Sequence, residues 1–204
     1  MALNARPARV GMFGGAFDPP HRAHVMLARA AVDQLGLDRL HVLPTGSAWH
    51  KSRDLTPAEH RLAMTRLAFA DVPAVLVDDR ELRRTGATYS IDTLRELRAE
   101  HPQAQLVLLM GEDQAAGFTG WRDWQEIARL ALLGVAGRGT GEGVAALRAL
   151  PGVRLETLQL PQMPESATEV RRRLTQGQDI TELVEPAVAR YIESHHLYKN
   201  TDDD

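Results

Sequence analysis

The chain has 204 residues, of which 44% are hydrophobic, enough for one α/β domain with a sizeable core or at most two small domains. Its net charge of −3 gives no electrostatic basis for binding bulk nucleic acid, and no apolar run is long enough to span a membrane. The absence of cysteine excludes a disulfide framework, thiol catalysis and a cysteine-based metal site. We therefore expect a cytoplasmic protein without nucleic-acid or membrane partners.

The first predicted elements are a strand, a glycine loop and a helix. An apolar run ends at Phe13, and Gly14 and Gly15 then allow the backbone to approach a ligand closely. The prolines at 19 and 20 cannot lie inside a helix, and the pattern that follows has apolar residues at 27, 28, 31, 32 and 35. This layout directs backbone amides and a helix N-terminus at one point, where anions bind.

Two histidines fall in the first turn of this helix. His21 and His24 are three residues apart and share a helix face, so imidazoles next to an anion site indicate phosphate chemistry. Such a pair alone is more often a solvated or capping feature. Together with Asp18 it could also hold zinc, which takes imidazole and carboxylate ligands. The pair by itself leaves these three interpretations open.

Strands and helices alternate along the rest of the chain. The further predicted strands cover residues 39–43, 74–77, 106–110, 132–136 and 153–158. The further predicted helices cover residues 56–70, 89–101, an aromatic region around 118–124, and residues 143–150, 168–176 and 186–195. Thr56 is the expected N-cap of the first of these, with Pro57 at its first position.

This element order predicts an α/β fold with a doubly wound parallel sheet and right-handed crossovers. Ligands of such sheets bind at the carboxyl ends of the strands, near the point where the strand order reverses. We expect residues 1–200 to form a single domain and residues 201–204 to be a disordered tail.

Residues 137–143, GRGTGEG, form a second glycine-rich segment between a strand and a helix. They lack the G-x-G-x-x-G spacing because Glu142 and Val144 stand where a third glycine would be needed, and the chain has no Walker loop. We interpret the segment as a surface loop, with Arg138 as its one side chain of interest.

Lysine is rare in this chain, since all but two of the 24 basic residues are arginine. Lys51 lies in the polar loop of residues 45–56, while the other lysine, at 199, is in the C-terminal tail. The compact charge of lysine suits a phosphate oxygen, whereas arginine presents a wide planar fork. Lys51 is therefore a candidate phosphate contact, with chance as the alternative explanation.

Residues 14–24, GGAFDPPHRAH, resemble the nucleotidyltransferase signature GG-x-FDP-x-H-x-GH, with Ala23 in place of the usual glycine. The resemblance implies a Rossmann-like fold and transfer of a nucleotidyl group from a nucleoside triphosphate with release of pyrophosphate. It also implies that His21 and His24 hold the triphosphate and stabilise its transition state.

Later segments resemble the nicotinate mononucleotide adenylyltransferases, in the same order along the chain. They are PTGSAWHK at 44–51, the segment 81–94 ending in GATYSIDTL, MGED at 110–113 with a tryptophan at 121, SATEVR at 166–171, and the segment 184–198 ending in Leu-Tyr. The fourth departs from the ISSTxIR motif at Glu165 and Ala167. The resemblance covers residues 9–199 and implies that ATP and nicotinate mononucleotide are the substrates, in NAD biosynthesis.

The motifs and the residue types together assign the site. The expected catalytic residues are His21, His24, Lys51 and Arg171. The expected ATP-binding residues are Gly14, Gly15, Phe17, His21, His24, Gly111, Asp113, Ser166, Thr168 and Arg171. The expected residues for nicotinate mononucleotide are Ala16, Phe17, Lys51, Thr88, Tyr89, Trp121 and Arg138. We expect Mg²⁺ to arrive with ATP and name no protein ligand for it.

Several of these assignments have structural alternatives. Ser166 and Thr168 begin a helix and could act as N-caps as well as phosphate contacts. Asp113 could contact a ribose hydroxyl. Trp121 could stack on a pyridine ring or belong to the core.

Other functions also remain open at this stage. One is another adenylyltransferase of the superfamily, with nicotinamide mononucleotide or phosphopantetheine as acceptor. A second is a zinc hydrolase that uses Asp18, His21 and His24, and a third is a nucleotide-binding regulator without catalysis. Bound zinc would favour the hydrolase, and activation by magnesium the transferase. The oligomeric state is open, with a homo-oligomer as one option.

Overall fold

The structure, a computed structural model, describes residues 6–46, 55–137, 141–161 and 165–198. Its centre is a parallel six-stranded sheet with the strand order β3-β2-β1-β4-β5-β6. The strands are β1 (Arg9–Gly15), β2 (Arg39–Pro44), β3 (Val75–Val77), β4 (Gln105–Gly111), β5 (Ala131–Ala136) and β6 (Leu155–Leu158). The predicted doubly wound α/β fold is confirmed.

Helices cover both faces of the sheet. They are α1 (Arg22–Gln34), α2 (Ala58–Phe69), α3 (Arg80–Arg83), α4 (Ser90–Glu100), α5 (Glu112–Ala116), α6 (Trp124–Leu130), α7 (Glu142–Arg148), α8 (Ala167–Thr175) and α9 (Pro186–Ser194), with a 3₁₀ turn at Phe118–Gly120. Among the described residues, no helix is both long and apolar enough to cross a bilayer.

Alternation along the strands divides the core into two layers. On β1, Phe13 packs in the layer formed with α1, α2, α8 and α9, whereas Met12 packs in the layer formed with α4, α5, α6 and α7. On β4, Val107 and Leu109 face the first layer and Leu108 the second. Both faces of the central strands are therefore buried, which is why β4 is a continuous apolar run.

The strand order reverses between β1 and β4, which are hydrogen-bonded neighbours. Their carboxyl ends carry Gly14 and Gly15 on β1 and Gly111 on β4. In open α/β sheets a crevice forms at this point because the adjacent connections leave in opposite directions. The fold thus places two of the glycine-containing motifs side by side.

Some local predictions were wrong in detail. The N-cap of α2 is Pro57 and the helix begins at Ala58, so Thr56 does not cap it. The amide of Thr56 instead donates to the carboxylate of Asp18 at 3.3 Å, which holds it outside the helix. The short helices α3 and α5 were not predicted. The predicted tail at 201–204 lies outside the described residues.

Candidate active site

A cavity of about 570 Å³ opens at the carboxyl ends of β1 and β4. The glycine loop, the N-terminus of α1, the start of α5 and the entry to α8 form its walls. Its lining consists of Phe13, Gly14, Gly15, Ala16, Phe17, Asp18, His21, His24, Leu27, Gly111, Glu112, Asp113, Gln114, Glu165, Ser166, Ala167, Thr168 and Arg171. The cavity therefore lies at the position that the fold favours for a ligand.

The glycine loop is anchored by Phe17. Its ring is 1% exposed and packs edge-on against Phe13 and Phe69, with ring centroids 5.4 and 5.8 Å apart. Its backbone φ of +47° turns the chain sharply after the glycines. A Cβ at Gly14 would meet no atom within 4 Å, so packing does not demand glycine there. The missing side chain instead leaves the backbone open to a ligand.

His21 and His24 lie together at the N-terminus of α1. Their ring centroids are 3.7 Å apart, and the amide of His21 donates to Nδ1 of His24 at 3.2 Å. A neutral His24 therefore carries its proton on Nε2. His21 is 8% exposed, and burial lowers its pKa to about 4. Its buried Nδ1 has no hydrogen-bond partner among the described residues. His21 is thus uncharged at neutral pH.

Arg171 reaches the cavity from α8. Its Nη1 donates to the main-chain oxygen of Asp18 at 2.6 Å, and its Nη2 donates to Oγ1 of Thr168 at 3.2 Å. Ser166 is the N-cap of α8, and its Oγ accepts from the amide of Glu169 at 3.1 Å. The capping role considered for Ser166 is confirmed, and the guanidinium of Arg171 is held in place before any ligand binds.

The carboxylate of Asp18 accepts hydrogen bonds from Tyr198 and Thr56. Asp18 is 1% exposed, and its oxygens accept from the Tyr198 hydroxyl at 2.6 Å and the Thr56 amide at 3.3 Å. Within the described residues no group of three or more histidines or carboxylates is placed to hold a metal ion. The zinc site considered for Asp18, His21 and His24 therefore has no support in this geometry.

Arg61 is a buried residue of the site region that the sequence interpretation missed. It is 3% exposed and donates to three main-chain oxygens: those of Ala16 at 3.0 Å, Thr45 at 2.8 Å and Thr56 at 2.9 Å. It ties the glycine loop to the end of β2 and the start of α2. The sequence signal for its burial was its place three residues before Met64, on the buried face of α2.

Carboxylates dominate the charge of the cavity wall. Asp18, Glu112, Asp113 and Glu165 line it beside Arg171. Within the part of the chain that the structure describes, a buried oxygen of Glu112 and one of Glu165 have no hydrogen-bond partner. A ligand with several phosphates would therefore meet repulsion here unless cations accompany it.

The ends of the glycine-rich segment 137–143 pack against the start of α5. A Cβ at Gly141 would lie 1.3 Å from Oε1 of Glu112, and one at Gly143 would lie 2.4 Å from the Glu112 main-chain oxygen. Gly143 is buried. At Gly143, in the first turn of α7, a side chain would meet the main chain of Glu112, so glycine is required there. The interpretation of the segment as a surface loop stays a prediction, because residues 138–140 lie outside the described residues.

Comparison with known proteins decides the family. The sequence profile described as cytidylyltransferase-like matches residues 12–173. The chain belongs to this family. It is 50% identical over 194 residues to a protein of Albidiferax ferrireducens, covering 94% of this chain and 98% of that protein. It is 39% identical over 203 residues to a protein of Methylibium petroleiphilum, covering 96% and 95%. Both are named as probable nicotinate-nucleotide adenylyltransferases, and this chain is a member of that group.

A solved structure also shares the fold. Nicotinic acid mononucleotide adenylyltransferase of Plasmodium falciparum, complexed with NaAD, superposes with a TM-score of 0.79. The match covers 94% of this chain and 97% of that chain, at 20% sequence identity. At this identity the likeness establishes the Rossmann-like architecture of the cytidylyltransferase-like family.

The cavity brings together many of the residues that the family motifs assign. They are Gly14, Gly15, Ala16, Phe17, His21, His24, Gly111, Asp113, Ser166, Thr168 and Arg171. The ring of Phe17 is buried, so a ligand could contact only its backbone. Lys51 and Arg138 lie outside the described residues.

The other residues expected to bind the acceptor lie beyond this cavity. Gly86 has a φ of +87°, in the left-handed region that favours glycine. The buried hydroxyl of Thr88 has no hydrogen-bond partner among residues 6–46, 55–137, 141–161 and 165–198. The centre of the Tyr89 ring lies 4.6 Å from the Arg122 guanidinium carbon. Trp121 is half-buried against Phe118, with ring centroids 5.9 Å apart. Their contacts with an acceptor stay predictions.

Proposed function

We propose that this chain transfers the adenylyl group of ATP to nicotinate mononucleotide, giving nicotinate adenine dinucleotide (deamido-NAD) and pyrophosphate in NAD biosynthesis. One observation carries the proposal most strongly: the adjacent pair His21 and His24, with ring centroids 3.7 Å apart, shares a cavity with Arg171 and an open glycine backbone. These are the groups that a transferring phosphate requires. The names of the relatives at 50% and 39% identity support the choice of substrate.

The triphosphate of ATP fits the half of the cavity nearest the histidines. The N-terminal residues of α1 and α8, helices of 13 and 9 residues, line this half, and helix N-termini favour anions. The glycine loop adds backbone groups that no side chain separates from a ligand. We assign the phosphates to His21, His24 and Arg171, with Ser166 and Thr168 at the head of α8.

The proposed chemistry is a direct displacement. A phosphate oxygen of nicotinate mononucleotide attacks the α-phosphorus of ATP, and the bond to pyrophosphate breaks, so no covalent enzyme intermediate is needed. Catalysis then depends on positioning and on neutralising charge. Neutral His21 and His24 act as hydrogen-bond donors, and Arg171 supplies a fixed positive charge toward the leaving pyrophosphate.

Magnesium would enter bound to the phosphates of ATP, where it neutralises their charge. The carboxylate-rich wall disfavours bare ATP, so it favours a cation-bound form. Mg²⁺ keeps its waters and few protein ligands, so we assign no protein ligand to it. Asp113, exposed at the cavity wall, is assigned to a ribose hydroxyl.

The acceptor half of the proposal rests on the sequence. Thr88 and Tyr89 are assigned to the nicotinate carboxylate through their amides, Trp121 to its ring, and Lys51 and Arg138 to its phosphate side. The cytoplasmic location and a homo-oligomeric state also stay predictions.

An acceptor panel tests the proposal. The purified chain is incubated with ATP and Mg²⁺ plus nicotinate mononucleotide, nicotinamide mononucleotide or phosphopantetheine, and pyrophosphate and adenylylated product are quantified. We expect pyrophosphate to be released fastest with nicotinate mononucleotide as the acceptor. Faster transfer to phosphopantetheine, or pyrophosphate release without any acceptor, would overturn the assignment.

A further inference from the structure

A hydrogen bond joins the segment after α9 to the glycine loop. The hydroxyl of Tyr198 donates to Oδ1 of Asp18 at 2.6 Å, across 180 residues of sequence. Oδ2 of Asp18 accepts from the amide of Thr56 at 3.3 Å. The buried carboxylate is therefore held by donors from two distant parts of the chain.

The tyrosine is suited to remain a donor. Burial, with the nearby Asp18 charge as the next cause, raises the pKa of Tyr198. Its hydroxyl therefore keeps its proton at neutral pH, and hydrogen bonds to a charged acceptor are stronger than those between neutral groups. The Tyr198 hydroxyl can therefore donate this hydrogen bond at the pH of ordinary assays.

The backbone has a positive φ angle at or next to each of the two residues that this bond joins. Phe17, which directly precedes Asp18, has a φ of +47°, and Tyr198 itself has a φ of +63°. Side chains other than glycine rarely adopt this region, and such conformations persist where surrounding contacts determine them. The Asp18–Tyr198 bond is one of the contacts that holds these two points together.

Asp18 also connects the tyrosine to the cavity. Its carboxylate binds Tyr198, while its main-chain oxygen accepts from Nη1 of Arg171 at 2.6 Å. A shift of Asp18 would therefore move the guanidinium of Arg171 and the adjoining glycine loop together. Small displacements of this kind reduce catalysis because the reacting groups lose their alignment.

We propose that Tyr198 is a positioning residue for the reaction: its hydroxyl orients Asp18, and through Asp18 it sets the place of the glycine loop and of Arg171. The kinetic consequence rests on the proposed function, whereas the structural consequence does not. Both can therefore be measured separately.

The kinetic test compares Tyr198→Phe with Tyr191→Phe. Tyr191 lies on α9 and its hydroxyl bonds Nδ1 of His60 at 3.0 Å, so its variant loses one hydroxyl hydrogen bond outside the cavity lining. We expect Tyr198→Phe to lower kcat roughly tenfold, with a smaller change in KM, and Tyr191→Phe to keep the wild-type kcat. Equal kcat in the two variants would overturn the proposal.

Hydrogen exchange tests the same contact without substrates. Amides of residues 14–18 should exchange faster in Tyr198→Phe than in Tyr191→Phe, while those of β4 should be unchanged. If the glycine loop loosens but no adenylyl transfer is found in any form, the proposed function fails and the positioning role stands. Faster exchange throughout β4 as well would show general destabilisation and overturn the role.

A double variant tests whether the effect passes through Asp18. If it does, Asp18→Ala combined with Tyr198→Phe should be no slower than Asp18→Ala alone, because alanine already removes the carboxylate that accepts from Tyr198. Multiplication of the two separate effects would contradict the proposed route.

Discussion

The amide of His21 donates to Nδ1 of His24 at 3.2 Å, so the backbone that begins α1 also selects the tautomer of a candidate catalytic imidazole. Nε2 of a neutral His24 is then its hydrogen-bond donor. The same turn buries His21 and brings the two ring centroids to 3.7 Å, with the ring planes tilted by 33°. One turn of helix thereby produces a pair of neutral donors beside the glycine loop.

Replacing His24 by alanine should lower kcat about 10²–10³-fold, the usual loss for one preorganised donor to developing charge. His195→Ala is the matched control, since His195 is exposed at the end of α9 and does not line the cavity. Steady-state kinetics with ATP and nicotinate mononucleotide provide the measurement. Near-normal turnover of a folded His24→Ala protein would remove this histidine from the mechanism.

Burial of neutral His21 should make folding sensitive to acid. Its pKa is 6.5 as an isolated group and about 4 when folded, so the unfolded chain binds a proton first as the pH falls. The contribution of His21 should therefore lower stability between about pH 6.5 and pH 4 and change no further below that window.

Urea unfolding of the wild type and of His21→Gln at pH 7 and pH 4.5 measures this effect. The free energy of unfolding should fall by roughly 2 kcal/mol more in the wild type, which follows from the two pKa values of His21. Identical pH dependence in both proteins would refute the buried neutral state.

Arg61→Met should destabilise the protein by about 3 kcal/mol, because three partly buried main-chain oxygens lose hydrogen bonds to a buried, charged donor. Arg66→Met, on the exposed side of the same helix, should change stability by less than about 0.5 kcal/mol. Chemical denaturation distinguishes them. A small, equal effect in both variants would contradict the role given to Arg61.

Local sequence signals predicted one half of the site well. The strand, glycine loop and first helix turn are contiguous, so their order alone placed His21 and His24 beside the glycines. The N-cap role of Ser166 was readable for the same reason. The five-residue helix α5 was not, because so short a helix is not specified by its own propensity and depends on packing.

Contacts between distant segments could not be predicted from patterns. Arg61 bonds oxygens 5, 16 and 45 residues away, and Tyr198 bonds Asp18 across 180 residues. Neither pairing follows from periodicity or spacing. The Leu-Tyr ending of segment 184–198 resembles a family segment, but only the three-dimensional structure shows what its tyrosine contacts.

The role of Lys51 is a prediction from the sequence. Lys51→Ala should weaken substrate use, and Lys51→Arg should not fully restore it, because the planar guanidinium does not reproduce a compact ammonium charge. Comparison of kcat/KM for both substrates across the two variants provides the test. Full activity of Lys51→Ala would exclude a phosphate contact.

The acceptor should be selected by its carboxylate. Amides of Thr88 and Tyr89 pair with a carboxylate but not with the NH₂ of nicotinamide, so we expect kcat/KM to favour the acid by roughly 10²-fold or more. Trp121→Ala should reduce this preference, whereas Trp124→Ala should not, although both rings pack near Phe118. Equal kcat/KM for acid and amide would rule out selection by these amides.

The central claim is adenylyl transfer, and the fate of labelled phosphorus tests it most directly. Parallel reactions contain Mg²⁺, nicotinate mononucleotide and ATP labelled at either the α- or the γ-phosphorus. We predict that the α-label enters the dinucleotide and the γ-label leaves as pyrophosphate, and that both products form about 10²–10³-fold more slowly in His24→Ala. Transfer of the γ-label to the acceptor, or its release as inorganic phosphate by the enzyme, would contradict the account.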